Sequence, residues 1–207
     1  MLNHPFAHPG TQRAVQNGVM ATHVALLRGI NLGGKNRVAM ADLRAVVGEL
    51  GHTAVSTYIQ SGNVLFTPPP GAGTREIADN MSAAIAAKLS VHSPVVVLTR
   101  DELAAVIAGG PFPDEPDPRR VHAVVLSGPP GPDLLDRLAT AEAQATAKGG
   151  RDAVRAVGRV LYLHTPDGYG NSDLSAAVLR IVSSPKAGVT GTARNWATMT
   201  KLRELCG

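Results

Sequence analysis

The residues best suited to chemistry lie in a basic, glycine-rich turn near the start of the chain. Arg28, Asn31, Gly33, Gly34, Lys35, Asn36 and Arg37 follow the apolar run Val24-Ala25-Leu26-Leu27. That run has no helical period and predicts a buried strand. Glycines at 29, 33 and 34 let backbone N–H groups turn toward a ligand with no Cβ in the way. Together with the cations of Arg28 and Lys35, such amides would cradle a phosphate or a carboxylate. Gly29 to Lys35 also fits G-x-x-x-x-G-K, the spacing of a phosphate-binding loop. That loop continues with a Ser or Thr whose hydroxyl meets Mg²⁺, and here the residue is Asn36. Arg37-Val38-Ala39 also delays the helix, so ATP hydrolysis is not expected. The plainer alternative is that the glycines only shape a tight connection and leave Lys35 and Arg37 in solvent.

Two further polar groups stand apart in sequence. Gln60, Ser61 and Asn63 surround Gly62 at the predicted tip of a hairpin. Ser, Gly and Asn are ordinary turn residues; Gln60 is less easily explained that way and would orient a ligand if it faced the Arg28 turn. Thr192, Arg194, Asn195, Trp196, Thr198 and Lys201 form the second group. Asn195 is placed to cap a closing helix, whose amides would then face an anion. Trp196 is the only tryptophan, and a lone tryptophan more often packs than binds. The functional expectation is that both groups line one cleft. Its ligand-binding set is Arg28, Asn31, Gly33, Gly34, Lys35, Gln60, Ser61, Asn63, Thr192, Arg194, Asn195, Trp196 and Lys201. The alternative leaves Arg194 and Lys201 simply exposed. His164 and Asp167 are a candidate acid–base pair, although a strand end and a turn aspartate would look the same. The seven histidines show no i,i+4 pair outside the first 19 residues, so no metal site is expected. No nucleophile–base pair can be assigned, and the catalytic residues and any cofactor stay open.

These motifs carry a resemblance. L-L-R-G-I-N-L-G-G-K-N-R-V-A-M-A-D-L-R, T-Y-I-Q-S-G-N-V and T-A-R-N-W-A-T-M-T-K-L resemble a bacterial family known as domain-of-unknown-function family 1697, over about residues 22–205. The resemblance implies a fold and a residue set but no reaction, because the family brings no established activity. The family commonly has a Ser-Lys-Leu step where this chain has Ser172-Asp173-Leu174, which puts any role of that lysine in doubt here.

The elements that must position these residues follow from periodicity. Helices are predicted from Met40 to about Gly51, from Thr74 (as cap) to Leu89, from a capping Asp101 to Ala108, and over Asp133–Lys148. A further helix, capped by Ser172 or Asp173, is predicted to Ser183, and a closing one over Asn195–Leu205. Strands are predicted within Ser56–Phe66, Pro94–Thr99, Arg120–Ser127, Ala153–Val157, Arg159–His164 and Val189–Thr192. The order strand–helix–strand–strand–helix–strand occurs twice. The expected fold is therefore α+β, with two ferredoxin-like units, read as a duplication, each an antiparallel sheet with helices on one face. The units are 20–108 and 119–207, joined by a Pro-rich linker at 109–118. A single larger mixed sheet is the alternative.

The 207 residues are 44% hydrophobic but only 3% aromatic, so the core must be built from Val, Leu, Ile and Ala. So few aromatics argue against a base-stacking platform for nucleic acid. A net charge of +4 suits an anionic small molecule or a nucleic acid without requiring either. The single Cys206 excludes an internal disulfide. No apolar run approaches bilayer length, and residues 1–19 lack the apolar segment of a signal peptide. They read as a disordered extension, with Met20 the natural first residue and the cytoplasm the expected location. The favoured function is binding of a phosphate-bearing ligand: a nucleotide, nucleic acid or phosphorylated metabolite. An enzyme acting on a phosphorylated or acidic small molecule, and a dimerisation module, are the alternatives; the oligomeric state is open.

Overall fold

Alternation of apolar side chains along doubly buried strands decides how the chain is layered. The computed structural model describes residues 20–34 and 36–207. The first half runs β1 (His23–Leu27), α1 (Met40–Glu49), β2 (Thr53–Tyr58), β3 (Asn63–Thr67), α2 (Thr74–Leu89), β4 (Val95–Thr99) and α3 (Arg100–Ala108). The second runs β5 (Val121–Leu126), α4 (Pro132–Ala147), β6 (Ala153–Val157), β7 (Val160–His164), α5 (Asp173–Ser183), β8 (Gly191–Asn195) and α6 (Trp196–Cys206). Each half forms one four-stranded antiparallel sheet, ordered β2-β3-β1-β4 and β6-β7-β5-β8. The two sheets are separate, which overturns the single mixed sheet. The tail expected at 1–19 lies outside the described residues.

Three cores result. Ala25 and Leu27 of β1 turn toward α1 and α2, where Val64, Phe66, Ile77, Met81, Ile85 and Val97 join them. Val24 and Leu26, one residue out of phase, turn the other way. There they meet Leu65, Val96 and Leu98 of their own sheet, Ala123, Val125, Val160 and Tyr162 of the other, and Met199, Leu202 and Cys206 of α6. Val124, Leu126, Leu161 and Leu163 pack on α4 and α5. The middle core therefore belongs to both halves. Tyr162 donates its hydroxyl to the Val106 carbonyl at 2.8 Å across that boundary. Burial pushes the Cys206 thiol up to about 11, which suits a packing residue.

Local chemistry sets the helix ends, with some differences from expectation. Thr99, not Asp101, caps α3 through a capping box with Glu102. Gly73 precedes α2, so Thr74 is its first residue and gives no side-chain cap. Ser172 caps α5 and Asn195 caps α6. Segment 109–118 is held against both halves rather than running free. Phe112 packs on the middle core, and Glu115 accepts from His164 at 2.7 Å. His164 and Asp167 thus do not pair with one another, since Asp167 engages Arg151. The last strand begins two and ends three residues later than expected, because its pairing with β5 runs from Gly191 opposite Leu126 to Asn195 opposite His122.

Gly62 is required at its position twice over. Its φ is +79°, and a Cβ there would lie 2.7 Å from the Leu27 Cβ. Gly62→Ala is expected to cost about 3 kcal/mol, combining left-handed strain with overpacking. Gly158, with φ +56° and open space around it, is the control, and Gly158→Ala should cost about 1 kcal/mol. Urea denaturation of both variants checks the ranking.

His122 is buried on β5, its ring stacked on Tyr169 at 3.8 Å. Burial pulls its pKa down to about 4, so the folded state holds it neutral. Below pH 6.5 the unfolded chain takes up a proton that the folded chain refuses. Stability is therefore lost as pH falls from 6.5 toward 4, by up to about 3 kcal/mol from this group. His23 and His52, also lowered by burial, add in the same sense. Urea midpoints between pH 7 and 4.5 should fall, and His122→Gln should flatten the slope.

Candidate functional site

The glycine turn is closed on itself by its asparagines. The Asn31 side chain donates to the Val38 and Gln60 carbonyls at 3.0 and 2.9 Å and accepts the Val38 N–H at 2.8 Å. Asn36 donates to the Gly29 carbonyl at 3.0 Å. Asn31 and Asn36 take left-handed backbone angles, as do Gly29, Gly33 and Gly34. The polar capacity of Asn31 is thus used in holding the turn to the hairpin tip. Helix α1 starts only at Met40, well past the place where a phosphate-binding loop would begin its helix. Gly33 and Gly34 are exposed, and Lys35 lies outside the described residues.

The two sequence clusters do meet, in a buried knot. Arg194 is 8% exposed. Its Nε donates to Asn63 Oδ1 at 2.6 Å, and its terminal nitrogens donate to the carbonyls of Leu27, Ser61, Gly62 and Ala193 and to Thr192 Oγ1. Burial pulls its pKa down to about 10, so it is still charged at neutral pH. Asn63 completes the knot by donating to the Tyr58 carbonyl and to Ser61 Oγ. Arg194, Asn63, Ser61 and Thr192 therefore hold protein to protein. The expectation that Arg194 offers charge to a ligand is corrected on that ground. Lys201 sits exposed beside Glu204, and Trp196 packs edge-on to Tyr162 and over Gly110. Asn195 uses its Oδ1 on the Ala197 N–H. Gln60 is exposed, and only its carbonyl joins the turn.

Arg28 has a different setting. It leaves the end of β1 and enters a cavity of about 470 Å³ between the halves. Edge strands β4 and β8 lie against each other there. Arg28, Arg75 and Arg159 line the cavity, against one carboxylate, Asp79. Hydroxyls come from Thr74, Ser127, Ser183, Ser184 and Thr190, and apolar wall from Val95, Val97, Val182 and Val189. Arg159 is already engaged, donating to Glu102 Oε1 at 2.8 Å and to the Val97 and Leu126 carbonyls. Arg75 and Asp79 form a loose pair at 3.8 Å, with side chains 79% and 74% exposed. Arg28 touches Ser183 Oγ and the Gly191 carbonyl only at 3.4 and 3.5 Å, and has no acidic partner among the described residues. Apart from Arg28, these lining residues carry no motif, because segments from both halves assemble the cavity only on packing.

Arg194→Ala would leave Asn63 Oδ1 and the Ser61 carbonyl without a donor and strip the charged donor from the Leu27 and Gly62 carbonyls, which keep only the Thr192 hydroxyl and the Leu27 N–H. It is expected to cost at least about 4 kcal/mol. Arg194→Lys, with three donors for six acceptors, should recover only part of this. Chemical denaturation measures both; an alanine variant within about 1 kcal/mol of the parent contradicts the reading of the knot.

The pattern of the family described as protein of unknown function (DUF1697) matches residues 20–162. Among solved structures the chain is similar to the conserved bacterial protein SP0830 from Streptococcus pneumoniae, at 22% identity and a TM-score of 0.60, over 91% of this chain and 100% of that one. At that identity the likeness is one of fold alone. No curated protein matches the chain significantly. No helix among the described residues is long and apolar enough to cross a membrane. The family pattern spans well over half the sequence and takes in the Arg28 turn and the Asn63 hairpin, so the chain belongs to the DUF1697 family.

Proposed function

We propose that the protein binds a phosphate-bearing small molecule in the cavity between its halves, with Arg28 holding the anionic group. The observation that carries this reading is the state of the Arg28 guanidinium. It is a partly buried cation on a recess, held by two marginal contacts and by no carboxylate among the described residues. Such a group is free to make short, charge-assisted hydrogen bonds with an incoming oxyanion. Its neighbours Arg159 and Arg194 are occupied and would act through the shape of the cleft. Helix α2 opens beside the cavity with no side-chain cap, which leaves its first N–H groups without a side-chain acceptor.

A recess of this size suits a compact ligand better than an extended nucleic-acid strand. The two halves are read as duplicated ferredoxin-like units, a reading supported by their matching strand orders, β2-β3-β1-β4 and β6-β7-β5-β8. Duplication accounts for a site at the seam, where neither unit alone has a cavity wall on both sides.

Titration calorimetry of the whole chain in low salt, with inorganic phosphate, AMP and glucose 6-phosphate as probes, tests this. At least one probe should bind, more weakly as NaCl rises. Arg28→Ala should weaken binding about 10- to 100-fold, the worth of a charged hydrogen-bonded contact. Lys201→Ala should leave it unchanged. Absence of binding by every probe, or equal affinity in the Arg28→Ala variant, would falsify the proposal.

A further inference from the structure

We infer that the ligand is a phosphorylated polyhydroxy molecule, a sugar phosphate or phosphorylated polyol, and not a nucleotide. This rests on the anion-binding reading above and concerns the rest of the ligand. Five hydroxyl side chains line the cavity: Thr74, Ser127, Ser183, Ser184 and Thr190. They come from the start of α2, from just past β5, from the last residue of α5 and from the segment between α5 and β8, so they surround the space from both halves. Ser127 Oγ accepts the Thr190 N–H at 3.1 Å, and Ser184 Oγ accepts the Lys186 N–H at 3.3 Å. Each of these two keeps its own O–H to donate. The Thr74 and Thr190 hydroxyls make no hydrogen bond among the described residues. A wall of hydroxyls with O–H groups still to donate matches a ligand carrying several hydroxyls of its own.

The apolar part of the lining points the same way. It is chiefly Val95, Val96, Val97, Val182 and Val189, with Ala78 and Pro185, and there is no Phe, Tyr or Trp among the described lining residues. Branched aliphatic side chains pack against the C–H face of a sugar. A nucleobase binds chiefly by stacking on an aromatic or guanidinium plane, and no aromatic plane is offered. Of the three lining arginines, Arg159 is fixed by Glu102 and two carbonyls, Arg28 is assigned to the phosphate, and Arg75 stands largely in solvent beside Asp79, so a base would have one mobile guanidinium and no aromatic ring to stack on.

Asp79 supplies the last constraint. It lines the cavity, is largely exposed, and is held only loosely by Arg75. A carboxylate accepts hydrogen bonds from hydroxyls and repels phosphate. A ligand anionic along its whole length, such as a di- or triphosphate or a nucleic-acid backbone, meets repulsion at Asp79. A ligand with one anionic end and one hydroxylated end meets Arg28 and Asp79 in turn.

The test extends the calorimetry to glucose 6-phosphate, ribose 5-phosphate and glycerol 3-phosphate, against inorganic phosphate and AMP. At least one of the first three should bind tenfold or more tighter than inorganic phosphate, and AMP should gain nothing over inorganic phosphate. Asp79→Asn, at an exposed position where folding is not at stake, should cut the sugar phosphate's advantage several-fold while leaving inorganic phosphate binding equal or stronger. If AMP matches or exceeds the sugar phosphates, or if none of the three gains tenfold over phosphate, this inference is overturned while anion binding stands. If nothing binds, the anion reading itself falls.

Discussion

One buried guanidinium fixes how the two halves meet. Arg194 sits on β8 of the second half, yet four of its six hydrogen-bond acceptors belong to the first: the Asn63 side chain and the carbonyls of Leu27, Ser61 and Gly62. All six are neutral oxygens. Taking a cation out of water costs several kcal/mol, and no carboxylate among the described residues offsets that here. The offset comes from geometry. Each hydrogen bond to a charged donor is worth about 1.5–3 kcal/mol, and the first-half carbonyls lie at strand and turn ends, where only that of Gly62 also accepts a backbone N–H, from Leu27. The cation and these under-used carbonyls solve each other's problem. Closeness at Gly62 is part of the same arrangement, because a side chain there would push the hairpin tip off Leu27 and away from the guanidinium.

Three arginines cross the seam between the halves, and their surroundings sort their roles. Arg194 is buried and has every donor occupied. Arg159 reaches back to the Val97 carbonyl and to Glu102, the residue that also completes the cap of α3. Arg28 crosses in the opposite direction and finds only marginal partners. Composition and motif treat these residues alike; burial and partner chemistry separate them. Charge that is locked into the seam gives it shape. The charge left over at the cavity gives it something to bind.

What the sequence conveyed follows the range of the interactions involved. Strand runs such as Val24–Leu27 and Val95–Leu98 are apolar on both faces, so their burial is visible without alternation, and each was placed within about a residue. The Gly62 turn and the Asn195 cap depend on neighbours a few positions away and are legible too, and the α5 cap is narrowed to Ser172 or Asp173, of which the structure uses Ser172. The Thr99 cap was missed because Asp101 competes for the same reading, and only the Glu102 partner decides between them. The site was harder. Asn63 and Arg194 stood out as polar residues worth explaining, but they are 131 residues apart, and nothing local says that they face each other. Arg75, Arg159 and Ser183 look like ordinary helix and hairpin residues until packing brings them to one cavity.

The middle core explains why the cavity lies at the seam and not inside either half. Each sheet already has two helices on one face, and its second face is as apolar as the first: Val24, Leu26, Leu65, Val96 and Leu98 on one side, Ala123, Val125, Val160 and Tyr162 on the other. A half alone would leave that face in water, so the halves are bound to fold against one another. Helices α3 and α6 fill one flank of the joint, with Leu103, Val106, Met199 and Leu202 completing the core. Near the start of β4 and the loop into β8 only the first turns of α2 and the end of α5 border the gap, and the side chains there include hydroxyls and arginines beside the valines. Two twisted sheets pressed together leave such a wedge where their edges diverge. Helices close the wedge on one flank, and on the other it stays open and polar. That the one seam arginine without firm partners stands at the open flank links the layering of the fold to the place where a ligand would enter.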